Sequence, residues 1–327
     1  MSASSRVSEV HPRPARRAVS RLLSLAFKVA VTGGALYLAF RAIDVGLLVE
    51  RLARINLLLF GTAAFGFLVQ SVIAAMRWRL IVARLDRQQC PTPAMAAAIT
   101  FSSQFANQFM PFFGDALRAL LALRAGIRAR FSITSAIVDR GMGLTVLLFL
   151  TVPSLLLWRF VMPAPLLSTS MLVVALALLG GFVLILVTGP SLIAWLPGRI
   201  QAPIGAILDD TRLVFLDPAT CLRSVGLSLI VHLMTVGNVW VLSLAVATPI
   251  APVTLLVLVP PMLFATMLPF TVSGWGAREG VVVWFLSATG TPSAGAFLLS
   301  VSFGAALLVA ALPGAVAWFG LARRRTD

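Results

Sequence analysis

Apolar residues in this chain do not alternate with polar ones; they run in long blocks separated by short stretches where arginine, proline and glycine gather. Eight blocks approach the ~20 residues a helix needs to cross about 30 Å of hydrocarbon. They cover roughly 22–40, 56–76, 94–110, 132–157, 167–188, 223–247, 252–270 and 294–320. No series of ten-residue alternating strands is present, which argues against a transmembrane barrel. The pattern predicts an all-α polytopic membrane protein.

Composition agrees. Hydrophobic residues make up 59% of the 327, charged residues only 11%, and the mean hydropathy is +0.99. A soluble domain carries about 25% charge, so this chain cannot cover its apolar surface with polar groups in water. The net charge of +15 does not point to nucleic acid. Its arginines sit in clusters beside the apolar blocks, where they act as topology signals.

Those clusters orient the chain. Residues 1–21 form a basic tail followed by an apolar block without a small-residue cleavage site, which predicts a retained first helix. The connections 77–92 (Arg77, Arg79, Arg84, Arg87) and 118–130 (Arg118, Arg124, Arg128, Arg130), the stretch 189–222, and the 323–327 tail are basic and belong in the cytoplasm. The connections 158–166 and 248–253 are nearly or wholly uncharged and belong outside.

A full span between the two neighbouring basic connections would push four arginines across the membrane. The segment 94–117 is therefore expected to enter and return on one face, and by parity 252–290 does the same from the other. The expectation is about six spanning helices plus two re-entrant helical hairpins, with both termini cytoplasmic. Prolines 260 and 261 are expected to shorten the first arm of the second hairpin.

The two hairpins resemble each other. Aligning Pro91 with Pro249 brings Pro111 onto Pro269, each followed by phenylalanine, glycine and, shortly after, arginine. Units of about 56–157 and 223–320 would then form an inverted repeat, the arrangement many secondary transporters use. Pro111 and Pro269 mark the turns. Non-helical backbone at membrane depth survives only where it is buried in protein or lines a wet cavity. Each turn opens a second arm whose N-terminal N–H groups carry partial positive charge, with Arg118 or Arg278 close by. Two such ends meeting from opposite faces predict an anion site, a phosphate being the natural ligand.

Each charged residue has an ordinary use beside that one. Arg278 and Glu279 could form a structural ion pair or bind and relay charge to a substrate. Asp115 could cap its helix or pair with Arg118. Asp139 and Arg140, inside an apolar helix, need a partner across a polar vestibule. Arg77, Trp78 and Arg79 in "MRWRL" read as an interfacial belt with snorkelling arginines, able also to meet phosphate headgroups. His232 and Asn238 read as interhelical hydrogen-bonding residues, with proton relay the lesser possibility for His232. The pairs Gly33/Gly34, Gly141/Gly143 and Gly180/Gly181 are expected to allow close helix contacts. Cys90 and Cys221 fall in connections and lack metal or disulfide spacing. No metalloprotease, nucleotide-loop or nucleophile motif is present, and no cofactor is expected.

With "MRWRL", "NQFMPFFGDALRALLALRAG", "SAIVDRGMG" and "LPFTVSGWGAREG" in this order, the chain resembles the lysylphosphatidylglycerol synthase transmembrane-region family, or flippase-like domains. The resemblance covers about residues 20–322 and implies a single transmembrane flippase-like domain, 22–322, in a bacterial inner (plasma) membrane. It implies lipid transport, with substrate contacts at Arg77, Gly114, Arg118, Arg140, Gly274, Gly276 and Arg278, and coupling or charge relay by Asp115, Asp139 and Glu279. Membrane lipids are the implied partners, phospholipid or polyprenyl-phosphate-linked, with a lipid synthase or glycosyltransferase alongside. Family members often carry a more glycine-rich run before the Gly-Asp pair than the "PFFGD" found here, which suggests a tighter first hairpin. No soluble synthase domain lies within the 327 residues, so aminoacyl transfer is not expected and the reading is not an enzyme. The rival readings are a membrane-embedded transferase, for which Asp209 and Asp210 are the only adjacent acids in a cytoplasmic connection, or an accessory scaffold for lipid-linked glycan, hopanoid or aminoacyl-lipid synthesis.

Overall fold

A computed structural model describes residues 45–109, 113–161, 165–195, 197–267 and 274–323. The 22–40 block, both terminal tails, Pro111 and Pro269 lie outside them. Eleven helices are described: α1 Val45–Ala53, α2 Leu57–Leu85, α3 Pro93–Asn107, α4 Phe113–Arg124, α5 Ala129–Val161, α6 Pro165–Ile193, α7 Gly198–Phe215, α8 Pro218–Ala245, α9 Pro252–Thr266, α10 Ala277–Ala288 and α11 Ser293–Arg323. Five of them, α2, α5, α6, α8 and α11, are long and apolar enough to cross a membrane. The protein is therefore an all-α, multi-pass membrane protein.

Local sequence sets the helix starts. Asn56, Thr92 and Asp217 accept N–H bonds from the first turns of α2, α3 and α8, and proline stands at the start of α3 and α8, where its missing N–H costs nothing. One expected connection contains a helix, α7 within 189–222, and α1 lies between the 22–40 and 56–76 blocks. Cys221 lies in the first turn of α8 instead of in a connection.

The segments 94–110 and 252–270 are not full spans. Helices α3 and α9 have 15 residues each, and α4 and α10 have 12 each. At 1.5 Å per residue these reach about 22 and 18 Å, short of the ~30 Å hydrocarbon core. Within the first pair the arms are backbone-close: a Cβ on Gly114 would run into the Ser103 carbonyl, and the Gly114 N–H donates to Asn107 Oδ1 at 2.9 Å. In the second, Gly274 takes φ +80°, and a Cβ there would stand 2.5 Å from Thr266 Cα.

The prolines do not shorten α9. It runs through Pro260 and Pro261 to Thr266. Breaking it earlier would leave more backbone groups unpaired in an apolar surrounding than the two prolines do.

The two hairpins open at opposite ends of the molecule. Arg128, after α4, donates to Gln88, before α3, at 3.4 Å, and lies 3.7 Å from Asp86. The basic connections at both feet of α3–α4 thus share one end, with the C-terminus of α2. At the other end, the Asn56 N–H donates to the Ala245 carbonyl at 2.9 Å. There, Arg51 bonds Thr248 at 2.6 Å, and a Cβ on Gly295 would meet that same threonine hydroxyl at 2.6 Å. The feet of α9–α10 therefore gather at the N-terminus of α2.

Helix α11 runs through the centre, against α2, α3, α8 and α10. Small residues permit this. A Cβ on Gly314 would collide with the Phe101 carbonyl of α3, and one on Gly304 would lie 2.6 Å from Arg278 Nη2. Three apolar clusters result, two around the hairpins and a third joining α2, α5 and α7. Trp158, Phe285, Phe303 and Ile250 anchor the second hairpin, whereas Trp78, Ile99, Leu117 and Leu121 anchor the first. Of the expected close-contact glycines, Gly143 lies against Arg77; Gly141, Gly180 and Gly181 have open space, and Gly33 and Gly34 are outside the described residues.

Candidate functional site

Asp115 and Arg118 sit three residues apart on α4, on neighbouring positions of one face. Asp139 and Arg140 are consecutive on α5. The packing of α4 on α5 crosses them: Arg118 Nη1 donates to Asp139 Oδ2 at 2.6 Å, and Arg140 Nη1 donates to Asp115 Oδ2 at 2.6 Å. Arg77 of α2 completes the cluster with a two-pronged bond to Asp139, Nε to Oδ1 at 2.8 Å and Nη2 to Oδ2 at 3.1 Å. Its third nitrogen, Nη1, donates to Ser228 of α8 at 2.9 Å.

Three sequence expectations change here. Asp115 pairs with Arg140, not with Arg118. Arg77 and Trp78 are buried within the bundle instead of snorkelling at an interface, Trp78 Nε1 donating to Ser135 at 3.2 Å. Only Arg79 behaves as a terminal residue, reaching the Pro91 carbonyl at 2.9 Å. The third change concerns the helix-end donors. The Gly114 N–H is taken by Asn107 and the Gly276 N–H by Glu279 Oε2 at 2.6 Å, so neither points a free donor at a ligand.

The cluster has an inner and an outer face. Arg77, Arg118 and Asp139 are buried, whereas the Arg140 and Asp115 side chains keep 32% and 18% of their surface. Those two line a cavity of about 560 Å³ between α4 and α5 whose other walls are alanine, isoleucine, leucine and glycine. A second, almost wholly apolar crevice of about 440 Å³ continues from it, sharing Ile137 and Gly141 and running between α5, α6 and α7. The Asp115–Arg140 pair thus stands where a polar site adjoins apolar walls.

Arg278 belongs elsewhere. Its Nε donates to Glu279 at 3.0 Å and to Ser300 at 3.2 Å, and its guanidinium lies over Trp275 at 4.6 Å and Phe303 at 5.4 Å. Arg278 is 2% exposed and Glu279 0%. Among the described residues its hydrogen-bond partners, Glu279 and Ser300, are not those of Arg118. Its geometry is that of an internal clamp fastening the start of α10 to α11: Glu279 bonds Gly276, Arg278 and Ser300 together. Gly274 and Gly276, both at positive φ, shape the turn that delivers it.

Sequence reasoning passed over Asn107, Ser228, Ser300 and Gly304. Ser228 had a visible signal, standing four residues before His232 on the same face of α8. His232 makes the expected interhelical bond, its Nε2 lying 3.0 Å from the Gly143 carbonyl. Asp210, half of the adjacent acid pair, is bound by Arg130 at 2.7 and 2.8 Å.

Short paired helices entering from opposite ends around a central span, with a buried ionic lattice beside apolar crevices, define a polytopic membrane domain. The chain belongs to the family described as lysylphosphatidylglycerol synthase TM region, which matches residues 25–314. No curated protein matches it.

Proposed function

We propose that the protein is a flippase-like lipid transporter that moves an anionic or phosphate-linked lipid headgroup across the bacterial inner membrane, without covalent chemistry of its own. The observation that carries this reading is the Asp115–Arg140 pair at the open side of the lattice, lining the α4–α5 cavity. Arg140 offers a guanidinium that a phosphate can share with, or take from, Asp115, with charge-assisted bonds on both sides of the exchange. The adjoining apolar crevice accepts the tail next to it. Inside, Arg118 and Arg77 hold Asp139. In this reading the end that carries Arg84, Arg87, Arg124 and Arg128 is the cytoplasmic one.

The family membership supports a membrane domain working on or beside lipid synthesis; a synthase or glycosyltransferase partner belongs to this reading. Reconstituted vesicles carrying a fluorescent phosphatidylglycerol test it. Arg140→Ala is expected to slow translocation at least tenfold, and Gly141→Phe, which fills the channel where the two cavities join, is expected to slow it as well. Translocation by Arg140→Ala at the rate of the unaltered protein ends the proposal.

A further inference from the structure

Among the described residues the lattice holds three arginines, Arg77, Arg118 and Arg140, against two aspartates, Asp115 and Asp139. Around Asp139 two buried guanidinium groups, Arg77 and Arg118, share one carboxylate, and among the described residues the buried Arg118 Nε has no hydrogen-bond partner. His232 adjoins the closed side of this set. It stands one turn beyond Ser228, which accepts from Arg77, and a Cβ on Gly143, whose carbonyl meets His232, would lie 3.4 Å from Arg77 Nη1. A carbonyl only accepts, so Nε2 of the neutral ring carries the proton and Nδ1 is the basic nitrogen. Nδ1 is buried and has no partner. It is an open proton site next to two guanidinium groups that share one carboxylate.

Among the described residues, the surroundings add no other charge to the ring. Arg77 is the charged group whose field reaches it. On α2, Arg79 and Arg84 are directed to Pro91 and Asp217; on α5, Asp139 and Arg140 are in the lattice and Arg130 binds Asp210. Helix α9 carries no ionisable side chain, α11 only Arg323 at its far end, and α8 itself Cys221 and Arg223, both more than two turns away. On α7, Asp209 and Asp210 accompany Arg130 at the basic end.

We propose that His232 is a proton site coupled to anion binding, so that the lattice takes up a phosphodiester headgroup and a proton together. This rests on the headgroup reading above. A proton on His232 in the empty lattice adds a further cation beside those two guanidinium groups, at short range and low dielectric. An anion at Arg140 adds negative charge to the lattice and offsets that repulsion. Linkage makes the effect mutual: the anion strengthens proton binding, and the proton strengthens anion binding by the same factor. A proton gradient then biases which side of the membrane loads the headgroup.

The chain has two histidines, and His11→Gln leaves His232 as a single imidazole. Its titration can be followed by NMR in detergent, with and without dihexanoyl-phosphatidylglycerol, whose phosphodiester keeps its charge throughout the histidine range. Sulfate serves as a free anion of fixed charge and dihexanoyl-phosphatidylcholine as a zwitterionic control. The lipid is expected to move the imidazole titration to higher pH. Its Kd is expected to tighten by up to about tenfold per pH unit on acidification through that range, and His232→Gln is expected to bind without this slope. A response to sulfate as well makes any small anion the coupled ligand; a response to phosphatidylglycerol alone makes it the lipid. Binding that is independent of pH, or a slope that survives His232→Gln, overturns the coupling and leaves the headgroup site standing. Absence of binding by the unaltered protein overturns both.

Discussion

Asp139 accepts hydrogen bonds from Arg118 of the first hairpin, 2.6 Å away, while the same carboxylate is gripped from the other side by Arg77 of a spanning helix. One carboxylate thus ties the hairpin to two long helices. Removing it strands two buried guanidinium groups. Asp139→Asn is expected to cost about 3–5 kcal/mol, the usual result of deleting one partner of a buried pair. Adding Arg118→Met should recover part of the loss, since it lowers the number of unpaired cations. Unfolding midpoints in detergent check this; an Asp139→Asn protein as stable as the parent would contradict the burial.

Arg278 and Glu279 form a closed unit with Ser300 and Gly276. Single substitutions Arg278→Met and Glu279→Gln each leave a buried group without its partner, whereas the double substitution leaves neither charge. A double-mutant cycle should give a coupling of about 0.5–3 kcal/mol, the double variant losing less than the sum of the singles. Additive losses would show that the two do not act together. Stability should respond here more than transport, in contrast to Arg140.

The glycines rank by what faces them. Gly314→Ala puts a Cβ against the Phe101 backbone, which cannot yield, and should destabilise most, by about 1–3 kcal/mol as overpacking does. Gly304→Ala meets the end of Arg278 and the Trp275 ring, which can shift, and should cost less. Gly141→Ala has open space and should be neutral or gain up to about 1 kcal/mol of helix propensity. The same unfolding measurement orders all three, and a reversal of Gly314 and Gly141 would contradict the packing of α11 on α3.

Opposite openings of the hairpins have a direct chemical readout. In a background with Cys90 and Cys221 replaced by serine, cysteines at positions 88 and 128 should react with an impermeant maleimide from the same side of sealed vesicles. One at position 291 should react only from the other. Labelling of 88 and 128 from different sides would mean that α3–α4 crosses the membrane once.

Block length and arginine placement already specified a helical, multi-pass membrane protein and suggested two segments that return where they began; these are properties of transfer into hydrocarbon, which each stretch of chain obeys by itself. The lattice was legible only as a set of ionisable residues in apolar helices. Spacing on one helix suggested Asp115 with Arg118, and a helix-end position suggested a headgroup-level Arg77. Both assignments changed because Asp139 lies more than sixty residues from Arg77 in the chain yet faces it across the bundle. Likewise, "GWGARE" gave a turn and an ion pair, but not that Trp275, Phe303 and Gly304 would pack around Arg278. Hydropathy and charge fix how each segment meets lipid and water. Which guanidinium meets which carboxylate, and which pair stays open to a cavity, depends on the mutual rotation of helices, and only tertiary packing sets that.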